Sequence, residues 1–277
     1  MRLLLLMIKR YILCMKYSKK EIPVVILAGG LGTRLREETE YRPKPMVEVG
    51  GKPILLHIMR HYARFGFKRF IICVGYKGDV VRDYFLNYHG SDYAIRVELA
   101  SGKVSPMRKN SELEDWEVSI VDTGRETLTG GRLIQIEEFI DQPLFLATYG
   151  DGLSNVNIDE TMKFHLAHGC AATVTAVKPT SRFGSLGLKE NGKVYSFREK
   201  ELAEEWINGG FFIFNRDIFN FLDSDALEIG TMDRLVQAEQ LNAFRHNGYW
   251  QCMDTPREFQ ELNSLWNSGI APWLEIT

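Results

Sequence analysis

The chain has 277 residues, a hydrophobic fraction of 45% and a formal net charge of −2. A chain of this length can bury a substantial core and form one large α/β domain. The near-neutral charge argues against a broad basic surface of the kind that binds nucleic acid. An anionic ligand must therefore be held by a few local cations.

The first twenty residues differ in character from the remainder. Residues 3–8 are apolar, but this run is too short to span a bilayer, and Lys9 and Arg10 interrupt it. We expect residues 1–20 to form a disordered extension, or translation to start at Met15, without stable insertion into a membrane. Contact of this basic, apolar segment with a membrane surface is the alternative.

The cysteines predict the redox environment. They are Cys14, Cys73, Cys170 and Cys252, and no two of them show C-x-x-C spacing. This pattern predicts reduced, inert thiols in a cytoplasmic protein and argues against a zinc site.

From residue 22 onward, short apolar runs alternate with amphipathic stretches. The predicted strands cover residues 24–27, 69–75, 93–99, 116–121, 144–148, 171–177 and 211–214. The first predicted helix begins after Pro53. Further helices are predicted over residues 79–88, 232–239 and 256–266. This alternation predicts a Rossmann-like α/β fold, in which helices flank a mostly parallel sheet on both faces.

Two connections and one histidine pair add detail to this fold. The turn at Asn191-Gly192 predicts a hairpin and hence a small β insertion. The polar connector at residues 101–115 is predicted to be a loop, either a mobile flap or an oligomer contact. His57 and His61 have i, i+4 spacing that could ligate a metal, but their apolar helix face favours a structural role.

Residues 24–46 carry the pattern around which we interpret the rest of the chain. A β-branched, apolar run passes into three glycines, Gly29, Gly30 and Gly32. Glycines let a backbone wrap closely around an anion with its N–H groups directed inward. Arg34 offers a fork of donors, and Lys44 lies between two prolines that stiffen its backbone. The segment therefore predicts a phosphate-binding loop that ends a buried strand.

Other glycine motifs explain this segment less well. A dinucleotide fingerprint would need a third glycine where Leu35 stands. A Walker loop would need Ser or Thr after Lys52, where the chain has Pro53. A plain strand-to-helix turn would need the glycines but leaves Arg34 and Lys44 unexplained.

Three later positions each allow two interpretations from the residues alone. The segment from Thr127 to Arg132 is either a helix N-cap at Thr129 or a source of a further cation. Asp151 is either a turn residue before Gly152 or an acidic group at the carboxyl end of a strand, where open α/β sheets bind ligands. Asp254 is either a helix N-terminal aspartate or a second carboxylate of the same site.

The motifs together resemble those of the sugar-1-phosphate nucleotidyltransferases. The resemblance covers residues 22 to the C-terminal A-P-W and is carried by L-A-G-G-x-G-T-R-L, R-P-K-P-M, T-G-G-R-L, Y-G-D-G, I-N-G-G-F-F and D-T. It implies transfer of a nucleotidyl group to a sugar 1-phosphate with release of pyrophosphate. Within the family, the sequence is most similar to the branch that uses CTP and glucose 1-phosphate.

The resemblance also implies residue roles. The nucleotide would contact Leu27, Ala28, Gly29, Gly30, Leu31, Gly32, Thr33, Arg34, Lys44, Thr127, Arg132 and Gly150. Among these, Lys44 and Arg34 would be catalytic, with Lys44 at the α-phosphoryl group and Arg34 at the departing β and γ phosphates. The cofactor would be Mg²⁺, and its ligands would be Asp151 and Asp254.

The second half of the chain would bind the sugar phosphate. The resemblance assigns this role to Glu199, Lys200, Asn208 and Gly209. The surrounding charge run is also typical of a solvated face, and the glycines after Asn208 are typical of a bulge. Glu201 stands where the family motif has proline.

These expectations define one nucleotidyltransferase domain over residues 21–277. Its nucleotide half would cover residues 21–150 and its sugar half residues 151–277, and we expect a homo-oligomer. A catalytically silent sensor of sugar nucleotides is one rival hypothesis, and a nicotinamide-dependent oxidoreductase is another. The intact cations and carboxylates argue against the first, and the missing third glycine argues against the second.

Overall fold

The computed structural model describes residues 18–88, 95–106, 114–180, 185–198 and 205–275. The strands are β1 Pro23–Leu27, β2 Glu48–Val49, β3 Lys52–Pro53, β4 Arg69–Val74, β5 Ile95–Glu98, β6 Lys103–Pro106, β7 Glu117–Asp122, β8 Leu144–Tyr149, β9 Gly152–Ser154, β10 Ala172–Val177, β11 Ser185–Leu188, β12 Val194–Arg198, β13 Ile207–Asn208, β14 Phe212–Asn215, β15 Leu241–His246 and β16 Trp250–Cys252. The α-helices are α1 Arg36–Thr39, α2 Ile54–Arg64, α3 Gly78–Leu86, α4 Thr129–Gln135, α5 Ile158–His168, α6 Met232–Gln237 and α7 Pro256–Asn267. Short 3-10 turns and a π-type turn at Leu227–Thr231 join them.

The central sheet is mostly parallel, as predicted. Its strands β7, β4, β1 and β8 pair in parallel in that spatial order. Beyond β8 lies β14, which is antiparallel to both β8 and β10. The strand β10 pairs with β15 in parallel along one edge and with β14 and then β13 along the other. The carboxyl ends of β1, β4, β7 and β8 therefore meet at one edge of the sheet.

Alternation along the central strands builds a core on each face of the sheet. In β1, Val24 and Ile26 belong to one buried cluster, while Val25 and Leu27 belong to the other. The first cluster is completed by apolar residues of α2, which recur at helical spacing and are buried. The second is completed by Leu133 of α4 and other helical residues. Burial on both faces explains why β1 reads as a continuous apolar run.

The connector predicted to be a loop contains a strand. Its β6 pairs antiparallel with β5, and Val97 lies opposite Val104. The turn between them passes through Gly102, whose φ of +68° suits glycine, and the Gly102 N–H donates to Glu98 O at 2.8 Å. The prediction was wrong for this part, and residues 107–113 of the connector lie outside the described residues.

The helix that follows Thr127 begins earlier than predicted. Its N-cap is Leu128, so Gly130 and Gly131 lie inside the first turn. A Cβ at Gly130 would lie 2.5 Å from the carbonyl oxygen of Asp225, and the Gly130 N–H donates to that oxygen at 2.9 Å. The glycine is therefore required by close packing of α4 against a neighbouring segment, and Thr129 is not the N-cap.

Several smaller predictions are confirmed. The turn at Gly192 joins β11 to β12 as a hairpin, the small β insertion. His57 Nε2 and His61 Nε2 each hydrogen-bond a backbone carbonyl at 2.9 Å, those of Val49 and Val156, which is a structural role. Residues 1–17 of the predicted extension lie outside the described residues. No helix within the described ranges is long and apolar enough to cross a membrane.

Candidate functional site

A cavity of about 360 Å³ opens at the edge of the sheet where β1 and β8 end. It is lined by Leu27, Ala28, Gly29, Gly30, Gly32, Thr33, Arg34, Lys44, Pro45, Thr127, Leu128, Thr129, Arg132, Tyr149, Gly150, Asp151, Ala226, Glu228 and Asp254. All of the predicted nucleotide-binding residues belong to this lining except Leu31. The predicted metal ligands Asp151 and Asp254 belong to it as well.

The glycine loop is fixed at both ends by hydrogen bonds. At its start, the Ala28 N–H donates to Cys73 O at 2.9 Å. At its end, Gly32 has a φ of +64°, and the Thr39 hydroxyl donates to Gly32 O at 2.9 Å. A Cβ at Gly32 would lie 2.7 Å from the Thr39 methyl group, so only glycine fits against this anchor. Sequence reasoning missed Thr39, because nothing in the local pattern ties it to the loop.

Arg132 supports the loop from below rather than lying free in the cavity. The residue is 3% exposed, and its guanidinium donates to Gly29 O and Val74 O at 3.0 Å each, and to the Thr123 hydroxyl at 2.6 Å. A Cβ at Gly29 would lie 2.1 Å from this guanidinium. Burial lowers the pKa of Arg132 from its ordinary value. Its prediction as a nucleotide contact stays a prediction, and the geometry adds a bracing role.

Lys44 occupies the centre of the site. It begins a 3-10 turn after Pro43, and Pro45 packs on the position of Gly150, where a Cβ would lie 2.9 Å away. Its Nζ donates to Asp151 Oδ2 at 2.6 Å and to Asp254 Oδ1. Burial alone would lower the pKa of Lys44, but the Asp151 and Asp254 carboxylates outweigh it and raise that pKa. The ammonium therefore stays charged between two carboxylates.

Asp254 reaches Asp151 through a small two-stranded sheet. The strand β9 directly after Asp151 pairs with β16, which ends two residues before Asp254, and the Met253 N–H donates to Asp151 O at 2.9 Å. The helix α7 that follows has Thr255 as its N-cap, in a capping box with Glu258. Glu258 also accepts from the Asp254 N–H at 2.7 Å. Asp254 therefore precedes the N-cap, and the capping role belongs to Thr255.

Arg34 lies at the open side of the cavity. Its side chain is 72% exposed, and its Nη1 donates to Asp254 Oδ2 at 2.9 Å. Exposure leaves the remaining N–H donors of the guanidinium available to a ligand that enters from solvent. Arg34 and Lys44 thus flank one carboxylate from two sides.

A second polar cluster forms part of the cavity wall. The Tyr149 hydroxyl donates to Glu228 Oε1 and accepts from Asn208 Nδ2 at 3.1 Å. Glu228 Oε2 accepts from the Thr129 hydroxyl at 3.0 Å. Sequence reasoning missed Glu228 entirely, because no motif surrounds it and it approaches the site only through the fold.

Of the predicted sugar-phosphate residues, Asn208 and Gly209 are described. Asn208 does not line the cavity itself, but its amide joins the cavity wall through Tyr149. Gly209 forms part of a bulge between β13 and β14, and a Cβ there would lie 2.7 Å from Val177. Glu199 and Lys200 lie outside the described residues.

The chain matches known proteins over most of its length. The family described as Nucleotidyl transferase matches residues 23–267. The glucose-1-phosphate cytidylyltransferase of Salmonella typhimurium is 49% identical over 255 residues, which cover 90% of this chain and 97% of that protein. A Bacillus subtilis protein named "Probable glucose-1-phosphate cytidylyltransferase" is 38% identical over 252 residues, covering 90% of this chain and 98% of the relative.

The fold also matches a solved structure. The crystal structure of HddC from Yersinia pseudotuberculosis superposes with a TM-score of 0.64 at 24% identity, covering 88% of this chain and 99% of that one. At this identity the structural likeness supports the fold alone, and the family is assigned from the sequence matches. Because the family match spans residues 23–267 and a full-length relative is 49% identical, the chain belongs to the nucleotidyl transferase family.

Proposed function

We propose that this chain transfers a cytidylyl group from CTP to α-D-glucose 1-phosphate, giving CDP-glucose and pyrophosphate. The observation that carries the proposal is the contact of one ammonium, that of Lys44, with both Asp151 and Asp254 beside a glycine loop. The identity with relatives named glucose-1-phosphate cytidylyltransferase supports the choice of base and sugar.

The reaction needs positioned charge more than proton transfer. An oxygen of the sugar phosphate attacks the α-phosphorus of CTP, and a new P–O bond forms as the bond to the bridging β-phosphate oxygen breaks. Pyrophosphate leaves with the electron pair of the broken bond. A phosphate monoester has a second pKa of about 6, so the attacking group is already ionised at neutral pH. We therefore assign no general base.

The cations of the site would supply the charge stabilisation. Lys44 would contact oxygens of the α-phosphoryl group, where charge builds up in the transition state. Arg34, at the open side, would bind the β and γ phosphates of the leaving group. The glycine loop would direct backbone N–H groups at the triphosphate, held in place by the bracing guanidinium of Arg132.

The paired carboxylates have the donor chemistry that Mg²⁺ requires. Asp151 and Asp254 both contact one nitrogen atom, so their oxygens converge on a single small space. Mg²⁺ is bound by one or two carboxylates together with substrate phosphates, and these residues would supply the protein's share. When bound, Mg²⁺ would neutralise part of the phosphate charge.

The sugar phosphate would bind on the side of β13. Asn208 would donate to a sugar hydroxyl from an amide that the Gly210 N–H orients, donating to Asn208 Oδ1 at 2.9 Å. Gly209 would allow close approach of the sugar, and Glu199 and Lys200 would contact a sugar hydroxyl and the phosphate.

The test is pyrophosphate release with Mg²⁺, measured for four nucleoside triphosphates crossed with glucose 1-phosphate and several other sugar 1-phosphates. Release confined to CTP with glucose 1-phosphate is the expected result. Release only with another sugar 1-phosphate or another nucleoside triphosphate would support the same reaction but require different substrates to be assigned. No release with any pair would favour a silent sensor, and Lys44→Ala serves as the inactive control.

A further inference from the structure

Glu228 is an acidic residue that lines the cavity and has no part in the roles assigned above. It belongs to the π-type turn Leu227–Thr231, which is fastened to the start of α4. The Leu227 N–H donates to the Thr129 hydroxyl at 2.7 Å, and the Gly130 N–H donates to Asp225 O at 2.9 Å. The turn therefore holds the Glu228 backbone in a fixed place at the cavity wall.

The carboxylate of Glu228 is itself oriented by two hydroxyl groups. Thr129 donates to one oxygen at 3.0 Å, and Tyr149 donates to the other. Each carboxylate oxygen has two acceptor positions, and among the described residues each oxygen receives one donor. Both oxygens thus keep an acceptor position for a ligand.

The charge of Glu228 indicates which part of a ligand lies beside it. The residue is exposed at the cavity wall, and no cation among the described residues forms an ion pair with it. A carboxylate repels phosphate. The cationic residues of the cavity lining, which attract phosphate, are Arg34, Lys44 and Arg132 at the glycine loop. The group beside Glu228 must therefore be a hydrogen-bond donor, and apart from their phosphates the substrates of the proposed reaction offer neutral donors.

We propose that Glu228 accepts hydrogen bonds from a pair of neighbouring hydroxyls of a substrate and determines specificity for them. Two adjacent hydroxyls match two carboxylate oxygens that each have one acceptor position left. Both substrates of the proposed reaction carry such a pair, on the ribose and on the pyranose ring. The shared Tyr149 hydroxyl ties Glu228 to Asn208, the residue assigned to a sugar hydroxyl. This inference rests on the proposed function and deepens it.

The experiment compares Glu228→Ala and Glu228→Gln with the wild type on parent substrates and on analogues that lack one hydroxyl. The analogues are 2′-deoxy-CTP, 3′-deoxy-CTP, 2-deoxyglucose 1-phosphate and 3-deoxyglucose 1-phosphate. With CTP and glucose 1-phosphate, Glu228→Ala should lower kcat/KM by about ten- to a hundredfold, the loss expected for a hydrogen bond to a charged group. With an analogue that lacks one of the two bound hydroxyls, the other bond remains, so that loss should shrink to about three- to tenfold.

The pattern of losses identifies the substrate and excludes a purely structural effect. If the loss in kcat/KM is smaller with a deoxy-CTP, Glu228 contacts the ribose. If it is smaller with a deoxyglucose 1-phosphate, Glu228 contacts the pyranose ring. An equal loss with every analogue, in an active wild type, would overturn the inference. Failure of the wild type to turn over the parent pair would instead be failure of the proposed function.

Glu228→Gln and one added control variant guard against misfolding. Glu228→Gln keeps the shape and one acceptor oxygen, so it should show the same analogue dependence with a smaller loss. Asp233→Asn removes an exposed carboxylate of the next helix, outside the cavity, and should leave all ratios unchanged. If Glu228→Gln lost activity equally on every analogue, the inference would fail even where Glu228→Ala could not be purified.

Discussion

Replacement of Lys44 by methionine should slow catalysis and tighten Mg²⁺ binding at the same time. The ammonium contacts both proposed metal ligands, Asp151 and Asp254, so a divalent cation must displace it from their oxygens. Methionine is similar in length but uncharged, and it leaves the two carboxylates without this competitor. The same change removes the cation proposed to stabilise the α-phosphoryl group.

The expected size of each effect follows from the exposure of the groups. The Asp151 and Asp254 side chains are 28% and 23% exposed, so each ion pair contributes only about 1 kcal/mol. Removing both competing pairs, about 2 kcal/mol, should tighten Mg²⁺ binding about 30-fold. Loss of a fixed charge donor at the reacting phosphorus should lower kcat about a hundredfold.

Titration calorimetry of Mg²⁺ without nucleotide measures the first effect, and pyrophosphate release measures the second. Arg42→Met is the matched control, because Arg42 pairs with Glu48 at 3.1 Å and does not line the cavity. It should change neither value. Unchanged or weaker Mg²⁺ binding by Lys44→Met would show that the ammonium and the metal do not share the carboxylates, and would refute the reasoning.

Three further predictions test other parts of the structure. Asp254→Asn removes one proposed ligand and should weaken Mg²⁺ binding about tenfold or more in a titration of activity; an unchanged titration would place the metal elsewhere. Gly29→Ala puts a Cβ 2.1 Å from the Arg132 guanidinium and should lower the free energy of unfolding by about 1–3 kcal/mol in a denaturant titration, whereas wild-type stability would contradict this packing. Burial lowers the pKa of His61 from 6.5 to about 4, so the unfolded chain binds a proton first as the pH falls below 6.5. The free energy of unfolding should therefore fall by about 2.5 kcal/mol between neutral pH and about pH 4.5 on this account, and His61→Gln should lose that part of the slope; equal slopes in both proteins would count against it.

The elements of the fold that depend on local pattern were predictable from the sequence. The apolar run before Gly29 is a buried strand, and the residues after Pro53 form a helix with its apolar face in the core. Burial of β1 on both faces made its pattern unambiguous. The strand β6 was harder to predict, because it pairs only with its neighbour β5 and lies in a polar segment.

In the candidate site, too, some residues could be predicted from local sequence and others could not. Glycines, a lysine between two prolines and an arginine are local signals, and from them a phosphate-binding loop could be predicted directly. The convergence of Asp151 and Asp254 depends on the pairing of β9 with β16, between segments a hundred residues apart, and only the family resemblance suggested it. Glu228 had no signal at all, since its position follows from the packing of a turn against α4.

Arg132 shows why a residue's type does not fix its task. Its charge and its place in a family motif suggested a contact with phosphate, but its donors are directed to Gly29 O, Val74 O and the Thr123 hydroxyl. A buried guanidinium that holds a loop carbonyl both shapes the loop and places positive charge beneath it. A sequence cannot separate these two contributions, because each requires the same residue at the same position.

The charges along the cavity wall explain why the two carboxylates lie beside the phosphate loop at all. Arg34, Lys44 and Arg132 are balanced in formal charge by Asp151, Asp254 and Glu228, so the described lining carries no surplus of positive charge. A nucleoside triphosphate and a sugar phosphate together bring several negative charges, which this wall alone cannot neutralise. Asp151 and Asp254 would hold a divalent cation that supplies the missing charge, and the Lys44 ammonium would then be available to contact phosphate oxygens. On this proposal, carboxylates that alone would oppose the binding of phosphates would instead favour it.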